Sequence, residues 1–117
     1  MNPRDLLEEQ LESTAGTWEI MTSHGVRDGE ERAVDHYFDA PDGDRAEALA
    51  AALRAAGGSA GVERHRSRVL RRTTGWAVTG SSAPFPLTLD SLRGWVTTMV
   101  ETGAEHDCVF DGWGLSV

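Results

Sequence analysis

Apolar residues recur along the chain in two rhythms, one helical and one of period two, and the switches between them outline the elements. Over residues 3–22, Leu7, Leu11, Trp18 and Met21 or Thr22 keep to one helical stripe, with Leu6 and Ala15 beside it. Asn2 is a favourable N-cap, Pro3 suits the first helical position, and acids fill the first turns, where the helix dipole favours negative charge. The polar stretch SHGVRDGEE, 23–31, breaks the pattern. In RAVDHYFD, 32–39, the period becomes two: Val34, His36 and Phe38 share one face, and Ala33, Asp35 and Tyr37 the other.

APDGD then forms a turn whose last Asp can cap an Ala-rich helix over 45–56, with Leu49, Leu53 and Ala56 as its stripe. Gly57-Gly58 stops it. The segment 60–67 alternates again and predicts an exposed strand paired with a second one at 74–81. SAPFPL, 82–87, reads as a rigid loop because its two prolines fix φ. From 89 to 103, Leu89, Leu92, Trp95, Val96, Met99 and Val100 give the clearest helical stripe in the chain, capped by Thr88 and ended by Gly103. The last strand is expected at 106–116. This order, helix then β-α-β-β-α-β, predicts an α+β fold of the ferredoxin-like (split βαβ) kind. Right-handed crossovers would set two helices on one face of a four-stranded antiparallel sheet, with the N-terminal helix added. The expected organisation is a helix and linker over 1–31 and a ferredoxin-like domain over 32–117, forming one compact unit.

Length and charge narrow the function. A chain of 117 residues is one domain and buries roughly 65% of its unfolded surface, enough for a core without metals or disulfides. Cys108 is the only cysteine, no apolar run approaches the length of a membrane span, and the acidic start does not read as a secretory signal, so a cytoplasmic location is expected. The net charge is −8, and 13 of the 19 acids lie in residues 1–47. Such a surface disfavours direct nucleic-acid binding and suits a basic partner. Arg64, Arg66, Arg68, Arg71 and Arg72 run against this trend. They read as a charged edge strand or as salt bridges to a partner more readily than as an RNA contact, since no stacking aromatics accompany them.

The candidate chemistry is thin. His24, His36, His65 and His106 form no ligand motif, and EHDC, 105–108, supplies only His106 and Cys108 on one strand face. Cys108 sits between acids that raise a thiol pKa, so it reads as buried and inert. Asp35, Asp39 and Asp111 could pair as an acid and a base only if the first and last strands are neighbours. GGSAG, 57–61, lacks the Lys of a phosphate loop and reads as a helix stop. No catalytic residue, metal or cofactor is therefore expected.

FDGWG, 110–114, places an Asp-Gly step inside a strand. A glycine there marks a bulge or a close approach, and the bend would re-aim Trp113 either into the core under the N-terminal helix or onto a recognition surface. With the opening NPRDLLEEQLEST, the strand VDHYF, the helix end ALRAAG and this near-terminal DGWG, the chain resembles the regulator of ribonuclease activity B (RraB) family over roughly residues 2–117. Phe110 stands where the family usually has Tyr. The resemblance implies a non-enzymatic bacterial inhibitor that binds the basic scaffold region of ribonuclease E and damps RNA decay. It carries Asp111, Gly112, Trp113 and Gly114 over as motif residues and as candidates for partner binding. A monomer or weak dimer is expected. Two alternatives stand beside it: a small-ligand or catalytic ferredoxin-like domain with a pocket around Asp35, His36 or Asp111, and a toxin-neutralising protein.

Overall fold

The computed structural model describes residues 2–64 and 75–115. Among these, three helices and six strands form a mixed α/β molecule whose paired strands are all antiparallel. Helix α1 (Pro3–Ser23) begins as expected, with the Asn2 side chain accepting from the Asp5 N–H. Its stripe runs through Leu7, Leu11, Thr14 and Trp18, and Thr14 is fully buried. Ala15, expected beside the stripe, is exposed.

The predicted strand 32–39 is two strands, β1 (Glu30–Arg32) and β2 (Asp35–Ala40). They separate at Val34, whose backbone N–H and C=O turn aside to Ser82. The first pairs with β5 (Phe85–Leu87), which lies in the segment expected to be loop. A two-stranded ribbon tolerates Pro86 because each of its strands has an unpaired edge on which a missing N–H costs nothing. Helix α2 (Gly43–Ala55) is capped by Asp42 rather than Asp44, and Gly57, at φ 96°, closes its end. β3 (Ser59–Arg64) and β4 (Trp76–Ser81) form the expected pair. The outer parts of the two predicted strands, 65–67 and 74, lie outside the described residues.

Helix α3 (Leu89–Glu105) starts with a capping box between Thr88 and Ser91 and runs two residues past Gly103. Gly103 is a point of close approach rather than a stop. A Cβ there would sit 3.0 Å from the Cys108 carbonyl oxygen and 3.1 Å from the Phe38 ring. The helix ends instead with Asp107 in the left-handed region at φ 57°, where the N–H groups of Asp107 and Cys108 donate to the carbonyls of Ala104 and Gly103. The chain then enters β6 (Val109–Gly114).

The four-stranded sheet runs β3-β4-β2-β6. Its inner face carries Phe38, Ala40, Val78 and Phe110. These pack against Leu49 and Leu53 of α2 and Val96, Met99 and Val100 of α3. Helix α1 adds Leu6, Leu7 and Leu11 to this core. A second cluster of Val34, Leu87 and Leu92 seats Trp18 beneath the ribbon. Helices α2 and α3 lie on one side, and among the described residues no helix covers the other side of the sheet.

Candidate functional site

The FDGWG stretch is a bulge. Phe38 of β2 stands opposite Phe110, whereas its neighbour Tyr37 stands opposite Gly112, so Asp111 is one residue too many on β6. Gly112 takes φ 136°, a value side chains rarely adopt. The consequence is a change of phase. Plain alternation would put Gly112 with Phe110 on the helix side and turn Trp113 outward. The extra residue restores Trp113 to the inner face opposite His36. There Trp113 packs against both apolar clusters, and its Nε1–H donates to Thr14 Oγ1 over 2.9 Å. The same hydroxyl donates to the Gln10 carbonyl. One indole thus ties α1 to the sheet.

Of the four motif residues, Trp113 and Gly114 are half-buried, Gly112 is half-buried on the outer face, and Asp111 is exposed at the bulge. The outer face follows from the register. Tyr37 stands between Thr79 of β4 and Gly112 of β6, with Gly61 beyond Thr79. Among the described residues nothing beyond the chain neighbours of Gly112 lies within 4 Å of a Cβ built there. Tyr37 is 44% exposed and Val109 50%. Asp39 lies in the row of Ala77, Glu63 and Val109, and Asp35 in the row of Ser81, Ser59 and Gly114. Ser81 Oγ donates to Asp35 Oδ1 over 2.6 Å. Among the described residues this face carries a central aromatic ring with acids in the rows above and below it.

The remaining candidates do not converge on one another. His24 caps α1 at the surface, with Nδ1 2.8 Å from the Ile20 carbonyl, and His106 caps α3. His36 is buried on the inner face, where desolvation holds its pKa below 6.5 against the opposing pull of the Ser59 carbonyl. Its Nδ1 has no partner among the described residues. Cys108 is buried at the base of β6, its thiol pushed up to about 11 by burial and then by the carboxylates of Asp107 and Asp42. His36 and Cys108 border different hollows, and Asp111 borders neither. Among the described residues no group of His, Cys, Asp and Glu is placed to hold a metal, and no helix is long and apolar enough to cross a membrane. Arg64 lies over the Trp76 ring, 5.7 Å from its centroid. His65, Arg66, Arg68, Arg71 and Arg72 lie outside the described residues.

Sequence reasoning missed Thr14 and Tyr37. Thr14 carries a signal, since it stands three residues after Leu11 and four before Trp18 on the apolar stripe. Tyr37 becomes legible only through its cross-strand neighbours.

A comparison with curated proteins returns no match. A family model described as regulator of ribonuclease activity B matches residues 11–115, from the second half of α1 through the bulged last strand and its Trp113. That span takes in the second half of α1, all of α2 and α3, both sheets and the bond that ties α1 to the larger sheet, and the chain belongs to the regulator of ribonuclease activity B family.

Proposed function

We propose that the chain inhibits a ribonuclease E-type endoribonuclease in the bacterial cytoplasm, as a protein ligand that catalyses no reaction itself. The observation that carries this reading is the family match across residues 11–115. The sheet order β3-β4-β2-β6 supports the ferredoxin-like form of the fold, and the Trp113–Thr14 bond supports treating 1–31 and 32–117 as one compact unit. The docking face is the open side of the sheet. Tyr37 supplies a rigid aromatic contact. A basic, extended protein segment suits the chain's net charge of −8 by electrostatic steering, with cation–π contact to the ring. In this reading the motif is divided. Asp111, Gly112 and Gly114 shape the contact surface, while Trp113 holds it from behind. The protein acts as a monomer or weak dimer, without a cofactor and without touching nucleic acid.

The test is the cleavage rate of a structured RNA by a purified ribonuclease E-type enzyme, with and without this protein, together with direct binding at low and high salt. Inhibition that weakens as salt rises is expected, because screening shortens the reach of exposed charges. Tyr37→Ala should weaken binding roughly tenfold or more, as loss of a central aromatic contact does. Unchanged cleavage with no binding at low salt would overturn the proposal.

A further inference from the structure

On the opposite side of the sheet, the row His36, Gly80 and Ala60 offers little bulk to fill the space beneath α2 and α3. Gly80 has to be small, because a Cβ there would lie 2.0 Å from the Ser59 carbonyl oxygen of the neighbouring strand. The space left over is a hollow of about 200 Å³, open to solvent on one side. Leu53 and Met99 from the two helices and Phe85 and Trp95 form apolar walls, with His36 at the floor. The Phe85 and Trp95 rings are 6.2 Å apart and inclined by 32°, so together they make an aromatic wall. Thr98 stands exposed at the rim.

His36 makes this hollow more than a packing defect. The residue is 2% exposed, yet its Nδ1 has no partner among the described residues. A buried nitrogen left without a hydrogen bond is costly, and native proteins leave few of them. A neutral imidazole carries one N–H and one lone-pair nitrogen, and with the N–H on Nε2, Nδ1 is a hydrogen-bond acceptor. Apolar cavities of about 150 Å³ already accept a single aromatic ring.

We propose that this hollow is a binding site for a small uncharged aromatic molecule of one or two fused rings carrying a single N–H or O–H donor. The rings fill the space between Leu53, Phe85, Trp95 and Met99, and the donor bonds His36 Nδ1. The site lies behind the sheet, so its occupancy does not compete directly with a partner on the Tyr37 face. It stands whether or not a ribonuclease is that partner.

Indole and benzofuran are the probes, nearly equal in shape, with only indole having a donor. Titration of the full chain, followed by amide chemical shifts, should give saturable indole binding in the range of about 0.1–1 mM, as suits nine non-hydrogen atoms. The shifts should centre on His36, Trp95 and Met99, with benzofuran binding about tenfold more weakly. In His36→Leu the two probes should bind equally. Thr98→Trp changes an exposed helix position, so it tests the site without disturbing the core, and it should weaken indole at least tenfold by closing the mouth. No saturable shift up to the solubility limit of indole would overturn the proposal. So would shifts centred on the other hollow, between α1 and α3, or equal binding of the two probes to the unaltered chain. Unchanged affinity in Thr98→Trp would overturn it as well.

Discussion

If the bulged strand serves to hold Trp113 against α1, then Trp113 and Thr14 must be energetically coupled. Trp113→Phe keeps an aromatic ring in the inner-face row opposite His36 but removes the fused pyrrole and its N–H. Because the residue is half-buried, the lost burial and residual cavity come to about 1–2 kcal/mol. The hydrogen bond to Thr14, at 2.9 Å, adds about 1 kcal/mol. Thr14→Val keeps the shape of a fully buried side chain and removes the acceptor, leaving the indole N–H unsatisfied, at a cost of about 1–2 kcal/mol. In the double variant the shared bond can be lost only once. The sum of the single effects should therefore exceed the double effect by about 1 kcal/mol. Urea unfolding followed by far-ultraviolet circular dichroism measures all four proteins without relying on the fluorescence of the residue removed. With a slope of about 1–2 kcal/mol per molar urea, each single variant should lower the midpoint by roughly 1–2 M. A coupling indistinguishable from zero would refute the claim that this bond fastens α1 to the sheet. Unaltered stability in Trp113→Phe would make the residue a surface group and reverse the division of the motif.

Two glycines should respond to alanine in opposite directions under the same assay. Gly80→Ala forces a Cβ into the Ser59 carbonyl and should cost at least about 3 kcal/mol, whereas Gly94→Ala meets open space on α3 and should stabilise by about 0.5–1 kcal/mol. His36 predicts a pH dependence. Its folded pKa lies below the ordinary 6.5, so as pH falls through that value the unfolded chain takes up the proton first and stability is lost, while above about 7 the contribution is complete. Melting temperatures from pH 7.5 to 5 should fall less steeply in His36→Leu than in the unaltered chain, and parallel slopes would count against the buried neutral ring. Cys108, with its thiol at about 11, should react with a disulfide reagent at pH 8 at least about a hundredfold more slowly in the native protein than in urea. Equal rates would show that the thiol is exposed.

The helices were legible because each writes its own period and caps. Asn2-Pro3, Thr88 with Ser91, and the stripe from Leu89 to Val100 depend only on residues within a few positions of one another. The order of the three helices and of the four strands of the larger sheet followed from the same local signals. The four residues of DGWG were visible in the sequence as well, and the family resemblance rested on them.

What the sequence could not decide is everything set by pairing at long separation. Val34 ends one strand and β2 starts another because Ser82, far along the chain, takes its backbone N–H. The β5 ribbon exists because β1 is there to receive it, and its local signal, two prolines in six residues, argues for a loop. Gly103 looked like a helix stop and proved to be a contact with Phe38, a distinction that depends on which strand passes beneath the helix. Trp113 shows the limit most plainly. The residue type suited a core or a surface, with burial under the N-terminal helix the favoured reading, and one extra residue, Asp111, turned it inward to Thr14, almost a hundred residues earlier in the chain. Periodicity determines which faces a segment can offer, and only the register between strands decides which of those faces is buried.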